Sequence, residues 1–207
     1  MLVLELCTVF LAEPVAARGL PIARGVADIL VLALVFIVVA LSYRHGATLL
    51  IAAGVAATGA GFFLGPDWPP PVAGVVRRGG NILVFSSLTW VVAHMVYAPG
   101  RITVRRLQGA VVVYLNIALI FASAFSLVWE LRPAAFANLT ASAGGPAELD
   151  TMMYFSLTTL TTTGYGDIVP VDPFARSLAN LEAVLGQFYL AITVARLVTL
   201  ELEGRRR

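Results

Sequence analysis

Long apolar runs, separated by short polar, glycine or proline breaks, follow one another along most of the chain. The runs are Met1–Ala17, Val26–Tyr43, Ala47–Leu64, Gly80–Ala98, Ala110–Trp129 and Phe174–Leu202. Every run after the first reaches the roughly 17–25 residues that a tilted helix needs to cross a bilayer. Counted with the first run, which Glu13-Pro14 interrupts, the pattern predicts an all-α membrane protein with six transmembrane helices and both termini on one side.

The composition agrees with a multi-pass membrane protein. Of the 207 residues, 59% are hydrophobic and only 13% are charged, which is outside the range of ordinary soluble domains. The net charge of +2 argues against nucleic acid as a partner. Three groups of arginines, Arg44, Arg101–Arg106 and Arg205–Arg207, fall on the same side of the predicted topology. An excess of arginine marks that side as the cytoplasmic one.

The stretch TTTGYGDIVP, residues 161 to 170, is too polar and too rich in glycine to span a bilayer, yet it lies between two apolar runs. Irregular backbone at membrane depth is tolerated only where it is buried in protein or lines a water-filled path. Gly164 and Gly166 can take backbone angles closed to other residues, which lets successive carbonyl groups point to one side and replace the hydration shell of a cation. One chain supplies only one wall of such a cage, so the sequence predicts a homo-oligomer.

The flanks of this stretch suit a cation site. Asp150–Leu160 is long enough for about three helical turns, and the negative C-terminal end of that helix leads directly into the glycine stretch. Glu148 and Asp150 give the helix an acidic start, as a helix N-terminus prefers. Pro170 and Pro173 end the extended segment before the last apolar run begins.

The run YFSLTTLTTTGYGDIVP, followed by an apolar helix with Gly186, resembles the pore module of tetrameric potassium channels, and Arg101–Leu202 is similar to small bacterial six-span members of that superfamily. The resemblance implies a homotetramer in a bacterial plasma membrane, with a four-span domain over 1–100 and a pore domain over 101–207. It implies an outer helix over 107–130, a re-entrant pore helix over 149–161, a filter over 162–166 and an inner helix over 174–202. The implied function is passive, potassium-selective conduction, with K+ as the permeant ion and no cofactor. The implied partners are three further copies of the chain and membrane lipid.

The resemblance also assigns roles to single residues. It implies K+ sites at the backbone carbonyls of Thr162, Thr163, Gly164 and Tyr165, with the Thr162 hydroxyl, and a filter that ends at Gly166. Its implied filter supports are Asp167, Tyr154 and Thr158, its hinge is Gly186, and its cavity-lining residues are Gln187, Leu190 and Val194. In many relatives a tryptophan bonds the aspartate at the position of Asp167, whereas Tyr154 and Phe155 stand there in this chain. Thr163 replaces a more usual valine, and Thr158 stands where some relatives have a glutamate.

Glu182 has two interpretations, because it is an acidic residue one turn before Gly186 in an otherwise apolar helix. It is either a charge that faces the cavity and concentrates cations, or a buried carboxyl group bonded to pore-helix threonines such as Thr159. Ionisable groups inside a membrane are costly and usually functional. The second interpretation is favoured, because the filter binds ions without an extra charge.

Two further hypotheses concern function. The pore is nonselective among monovalent cations if fewer filter sites are intact. The run Gly164-Tyr165-Gly166-Asp167 also fits the Gly-x-Gly-Asp signature of intramembrane aspartyl proteases, but the second carboxylate would have to come from Asp28, and the threonine run has no use in that chemistry. The sequence therefore predicts a channel and no enzyme.

Voltage sensing is not predicted. A sensor needs arginines repeated along one face of the fourth span, and Gly80–Ala98 carries none, only His94. The glycines of the third run, Gly54, Gly59 and Gly61, predict close packing between helices.

Overall fold

The computed structural model describes residues 2–7, 45–63, 68–98, 103–139 and 148–205. Its helices are α1 (Leu2–Cys7), α2 (His45–Phe63), α3 (Pro70–Val96), α4 (Val104–Leu131), α5 (Glu148–Leu160) and α6 (Pro173–Arg205). Two short strands, β1 (Phe136–Ala137) and β2 (Val169–Pro170), complete the described elements. The predicted run Val26–Tyr43, most of Met1–Ala17 and Asp28 lie outside the described residues.

The described part of the chain is mostly helical, which confirms the predicted fold class at that level. Within the described residues, three segments are long and apolar enough to cross a membrane, namely Val72–Val96, Val104–Leu131 and Pro173–Arg196. Leu49–Gly61 in α2 is a shorter apolar helix. These segments make the chain a membrane protein.

Helix α3 begins at Pro70 rather than at Gly80, so the predicted start of the fourth span is wrong. Proline suits the first turn of a helix, where its missing N–H group is not needed, and Pro70 occupies that position. Arg77 and Arg78, which precede the predicted run Gly80–Ala98, lie inside the helix. Arg78 is buried there against an acidic partner, which explains why the helix continues through two charged residues.

Helices α2, α4, α5 and α6 differ from the predicted bounds by only a few residues. Helix α4 starts at Val104, directly after Thr103 in an extended conformation, and ends at Leu131. Helix α6 starts at Pro173 because the Asp172 carboxylate accepts hydrogen bonds from the N–H groups of Phe174 and Ala175. Helix α5 ends at Leu160, so Thr161 already lies in the turn that follows.

Helices α2 and α3 approach each other through glycines. A methyl group built at Gly54 would lie 2.9 Å from the Gly80 carbonyl oxygen, and one at Gly80 would lie 2.5 Å from Thr58 Oγ1. Gly61 likewise lies against α3, whereas a methyl group built at Gly59 meets no neighbouring element of the described residues within 4 Å. Close contact between the helices therefore depends on Gly54, Gly61 and Gly80.

Helices α3 and α4 are antiparallel neighbours. Near the start of α3, Gly74 lies against the Glu130 carboxyl group at the end of α4, and near the end of α3, Val96 lies against Gly109 at the start of α4. We call the end with Gly74 and Glu130 the upper end and the opposite end the lower end. Helix α5 begins at the upper end, because Glu148 contacts Arg78 there.

Aromatic packing joins α4, α5 and the strand pair at the upper end. The Phe125 ring lies 4.9 Å from the Phe155 ring and 6.0 Å from the Phe136 ring, each measured between centroids and each edge to face. Strand β1 pairs antiparallel with β2, with Phe136 opposite Pro170. The strand pair fixes residues 169–170, just after TTTGYGDI, against residues 136–137, which follow α4.

At the lower end, α6 is bonded to both α3 and α4. The Tyr189 hydroxyl donates to the Ala110 carbonyl oxygen at 2.6 Å, and the Tyr97 hydroxyl lies 2.7 Å from the Thr193 hydroxyl. Arg196 donates to the Tyr97 carbonyl oxygen at 2.8 Å and lies 5.6 Å from the centre of its ring. Three polar contacts thus hold the lower half of α6.

Replacing Gly80 by alanine should destabilise the protein by about 1–3 kcal/mol, because the new methyl group would press on backbone atoms of α2. The matched control is Gly79→Ala, because a methyl group at Gly79 meets no neighbouring helix within 4 Å in the part of the chain that the structure describes. Alanine is the better helix former, so the control should be unchanged or more stable by about 0.5–1 kcal/mol. Unfolding of the detergent-solubilised protein measures both, and equal effects would contradict the packing account.

Candidate functional site

The segment after α5 is attached to the last turns of that helix. The N–H group of Thr162 donates to the Thr159 carbonyl oxygen at 2.9 Å, and those of Thr163 and Gly164 donate to the Thr158 carbonyl oxygen at 2.8 and 3.1 Å. Among the backbone hydrogen bonds of the described residues, none ends on a carbonyl group of residues 162–165. Residues 161–167 are exposed in the single chain. The N–H groups are therefore used in the chain, whereas these carbonyl groups stay available.

The backbone of this segment alternates in hand. Thr162, Gly164 and Gly166 have positive φ angles of 57°, 54° and 79°, whereas Thr163 and Tyr165 between them do not. Glycine takes this conformation without a steric penalty. For Thr162, which is branched at Cβ, it costs on the order of 1–3 kcal/mol. Strain of this size persists only where the surroundings hold the residue.

Gln187 of α6 is one of the groups that hold Thr162. Its side-chain Nε2 donates to Thr162 Oγ1 at 3.2 Å. Gln187 therefore lies at the level of the first residue of the segment, on the same exposed side. Leu190 and Val194 of α6 are likewise exposed in the single chain, at 45% and 60%.

Asp167 is bonded to Tyr154 of α5. The Tyr154 hydroxyl donates to Asp167 Oδ2 at 2.7 Å, and the Tyr154 ring lies parallel to the Tyr165 ring with centroids 6.2 Å apart. A tyrosine thus makes the bond that the resemblance assigns to a tryptophan. The hydrogen bond from Tyr154 stabilises the charged carboxylate and holds the pKa of Asp167 below its ordinary value of 3.8.

Thr158 contacts the segment through its backbone. Its carbonyl oxygen accepts the two N–H groups of Thr163 and Gly164, and its hydroxyl donates to the Phe155 carbonyl oxygen within α5. The side chain is thus engaged within the helix.

Gly186 lies where α6 crosses the end of α5. A methyl group built at Gly186 would lie 2.3 Å from the Leu160 carbonyl oxygen, so only glycine allows this approach. Helix α6 continues without a break through Gly186. The structure therefore gives Gly186 a packing role at the base of the segment.

Glu182 is fully buried, at 0% exposure, so the cavity-facing interpretation of Glu182 is wrong. Ser156 of α5 lies with its hydroxyl 2.5 Å from Glu182 Oε1 and 2.8 Å from the Ala118 carbonyl oxygen of α4. A hydroxyl group has one proton, so Ser156 donates to only one of these oxygens at a time. The suggested partner Thr159 instead donates to the Phe155 carbonyl oxygen. Glu182 of α6 and the Ala118 carbonyl group of α4 therefore meet at the Ser156 hydroxyl of α5, behind the segment.

Sequence reasoning missed three of these contacts. Neither Ser156 nor Gln187 was paired with its partner, because a serine or glutamine in a helix carries no signal of what it faces. Glu148 was interpreted only as an acidic helix start, although it forms an ion pair with Arg78. The sequence did carry a signal for this pair. Arg77 and Arg78 stand beside an apolar run, and no acidic residue is near them in sequence.

Comparison with known proteins gives the family of this region. Residues 111–202 match the family model described as "Ion channel". The inward rectifier potassium channel Kirbac3.1 of Paramagnetospirillum magnetotacticum is 36% identical over 50 residues, which are 24% of this chain and 17% of that protein. The potassium voltage-gated channel protein shk-1 of Caenorhabditis elegans is 34% identical over 80 residues, which are 39% of this chain and 15% of that protein.

The match over residues 111–202 and the two potassium-channel relatives support a place for this region in the potassium channel superfamily. We call residues 111–202 the channel domain. The domain includes Asp167 and matches a channel rather than an enzyme, so the protease hypothesis is not retained. The matched parts are only 17% and 15% of the two relatives' lengths, and no solved structure matches the chain.

Replacing Tyr154 by phenylalanine should shorten the time for which the channel domain conducts, several-fold, because Asp167 loses its hydroxyl donor. The pKa of Asp167 should rise toward 3.8. Because the pKa of Asp167 is lowered in the native protein, its hydrogen bond stabilises the native state fully above pH 3.8. This stabilisation is lost as the pH falls through the native pKa of Asp167. In the native protein conduction should therefore persist to a lower external pH than in the variant. Flux decay and carboxyl titration by infrared spectroscopy measure these effects.

The control for this variant is Tyr154→Trp, because an indole N–H group is also a donor. Tryptophan should restore much of the conduction time and keep the pKa of Asp167 low. If phenylalanine and tryptophan behaved alike, the hydrogen bond would not be the cause.

Replacing Ser156 by alanine should cost about 1–3 kcal/mol of stability, because the buried Glu182 carboxyl group loses its partner. Glu182→Gln should leave block by internal cations unchanged, because Glu182 does not reach the exposed face. Ser177→Ala, at an exposed position of the same helix, is the matched control and should have little effect on stability. A change of internal block in Glu182→Gln would restore the cavity-charge interpretation.

Proposed function

We propose that the protein conducts potassium ions passively and selectively through a filter formed by residues 162–166. The observation that carries this proposal is the alternation of backbone hand at Thr162, Gly164 and Gly166. A backbone that alternates in this way directs successive carbonyl groups to one side, where they replace the water around a cation. The names of both relatives describe them as potassium channels.

The proposed K+ sites are the carbonyl groups of Thr162, Thr163, Gly164 and Tyr165, with the Thr162 hydroxyl. Their support comes from the N–H groups of Thr162, Thr163 and Gly164, which are bonded to α5 and so leave the carbonyl oxygens for the ion. Helix α5 directs its negative C-terminal end to the same place. Potassium is the permeant ion in this proposal, and no cofactor is involved.

We further propose a homotetramer in which three further copies complete the cage. Carbonyl groups of one chain surround only part of an ion, and the whole segment 161–167 is exposed in the single chain. Helix α6 is also poorly covered by the other described elements: 22% of its apolar segment is buried, against 67% of the apolar segment of α4. Copies around an axis would enclose the ion and cover α6 together.

In the proposed topology six helices span a bacterial plasma membrane in contact with lipid, and α5 enters and leaves from the upper end, which faces outward. Gln187, Leu190 and Val194 would then line a cavity below the filter. Voltage gating is not part of the proposal. From residue 79 to residue 96, α3 carries no arginine, and Arg78 near its start is already paired with an acidic partner.

Purified protein in liposomes should take up K+ in preference to Na+, and barium should block this uptake. Gly164→Ala should abolish selective flux, because alanine is strained at a φ of 54°. Gly59→Ala is the matched control, because a methyl group at Gly59 meets no neighbouring described element within 4 Å. This variant should conduct normally. The flux assay is run with and without an imposed membrane potential. The potential should change the flux only through the electrochemical driving force on K+.

Equal flux of Na+ and K+ would show a nonselective cation pore. Flux that appears only above a threshold potential would overturn the absence of voltage gating. Selective flux in the Gly164→Ala variant would show that the ions pass elsewhere than through this segment.

A further inference from the structure

A buried ion pair joins α3, outside the channel domain, to the first residue of α5. Arg78 Nη2 lies 2.7 Å from Glu148 Oε1, and the two side chains are 6% and 0% exposed. Arg78 comes from a helix that the sequence assigned to a separate four-span domain. The contact therefore crosses the boundary between that region and the pore.

Other charges surround this pair at the upper end. Gly74 lies one turn before Arg78 on α3, and the Glu130 carboxyl group at the end of α4 occupies the space that a side chain at position 74 would need. Arg77 is next to Arg78 in the chain. Two arginines and two glutamates from α3, α4 and α5 thus lie near one another at the upper end, with Arg78 and Glu148 buried and Arg77 and Glu130 half-buried.

Stability alone is a poor explanation for such a pair. Removing two charges from water is costly, and replacing a buried ion pair by apolar residues of similar size is often neutral or stabilising. A buried pair does favour one position, because the attraction between opposite charges is strong in an apolar surrounding. The pair is therefore better suited to hold a position than to add stability.

The position it holds is that of α5. This helix has 13 residues and is thus about 20 Å long, and Glu148 is its first residue. Thr158 and Thr159 at its other end accept the N–H groups of the filter segment. A tilt of α5 about its upper end would therefore move the groups that shape the filter.

We propose that Arg78 is a positioning residue for the selectivity filter, which acts by fixing the start of α5 through Glu148. This inference rests on the proposed potassium conduction. It gives α3 a part in ion selection, so the first hundred residues supply more than a lipid-facing shell.

The test compares Arg78→Met, Arg78→Lys and Glu148→Gln in the full-length protein reconstituted in liposomes. Barium, a divalent cation close in size to K+, probes the filter geometry. Arg78→Met and Glu148→Gln should weaken barium block by about tenfold and lower the ratio of K+ to Na+ flux, a change of about 1.4 kcal/mol in barium binding. Arg78→Lys keeps the charge without the planar fork, and it should restore part of both values.

The matched control is Arg132→Gln. Arg132 forms an ion pair of similar length with Asp172, at 2.8 Å, but its side chain is 59% exposed. Exposed pairs contribute little, so this variant should keep native selectivity and native barium block.

The double variant Arg78→Met/Glu148→Leu separates positioning from folding. It removes both buried charges, so assembly and thermal stability should return to near the native level, whereas barium block should stay weak. Recovery of barium block together with stability would overturn the inference, because the pair would then serve only the fold. If Arg78→Met does not assemble, Arg78→Lys and the double variant decide the question.

The inference and the proposed function fail in different ways. Absence of selective K+ flux in the native protein would remove the proposed function. Selective flux in the native protein, with unchanged selectivity and barium block in every Arg78 and Glu148 variant, would remove only the inference.

Discussion

The hydrogen bonds between the end of α5 and the segment that follows it are the interaction on which the rest of the structure depends. Backbone that leaves a helix at membrane depth must find partners for its N–H groups. Thr158 and Thr159 supply these partners with their carbonyl oxygens. The segment can then alternate in hand through Thr162 and Gly164, because its donors are already used. Without this attachment the strained conformation of Thr162 would relax.

The surroundings of α5 fix the helix on several sides. Glu182 of α6 and Ala118 of α4 meet at the Ser156 hydroxyl, and Gly186 lets α6 reach the Leu160 carbonyl oxygen. Phe155 packs edge to face on Phe125 and Phe136. Tyr154, on the exposed side, bonds Asp167 just after Gly166. The ends of the segment are thus fixed to one rigid helix.

The sequence predicts the helical class and the glycine segment because both depend on local properties. Apolar runs mark helices in a membrane whatever they pack against, and Gly164 and Gly166 mark backbone angles that few other residues adopt. The start of α3 was mispredicted because Arg78 looks like a loop residue until its partner is known, and Glu148 lies 70 positions further along the chain. Glu182 left two interpretations for the same reason. A helix pattern places a residue on a face, but the neighbour of that face depends on how three helices meet.

The lower contacts of α6 have a mechanical consequence. Below Gly186, α6 is bonded to α4 through Tyr189 and to α3 through Thr193 and Arg196. An outward swing of this half of α6 would have to break these bonds or take the lower ends of α3 and α4 along. The smallest unit that can move outward without breaking these bonds therefore consists of α3, α4 and α6. Any gating movement at the lower end would have to displace all three helices through the lipid.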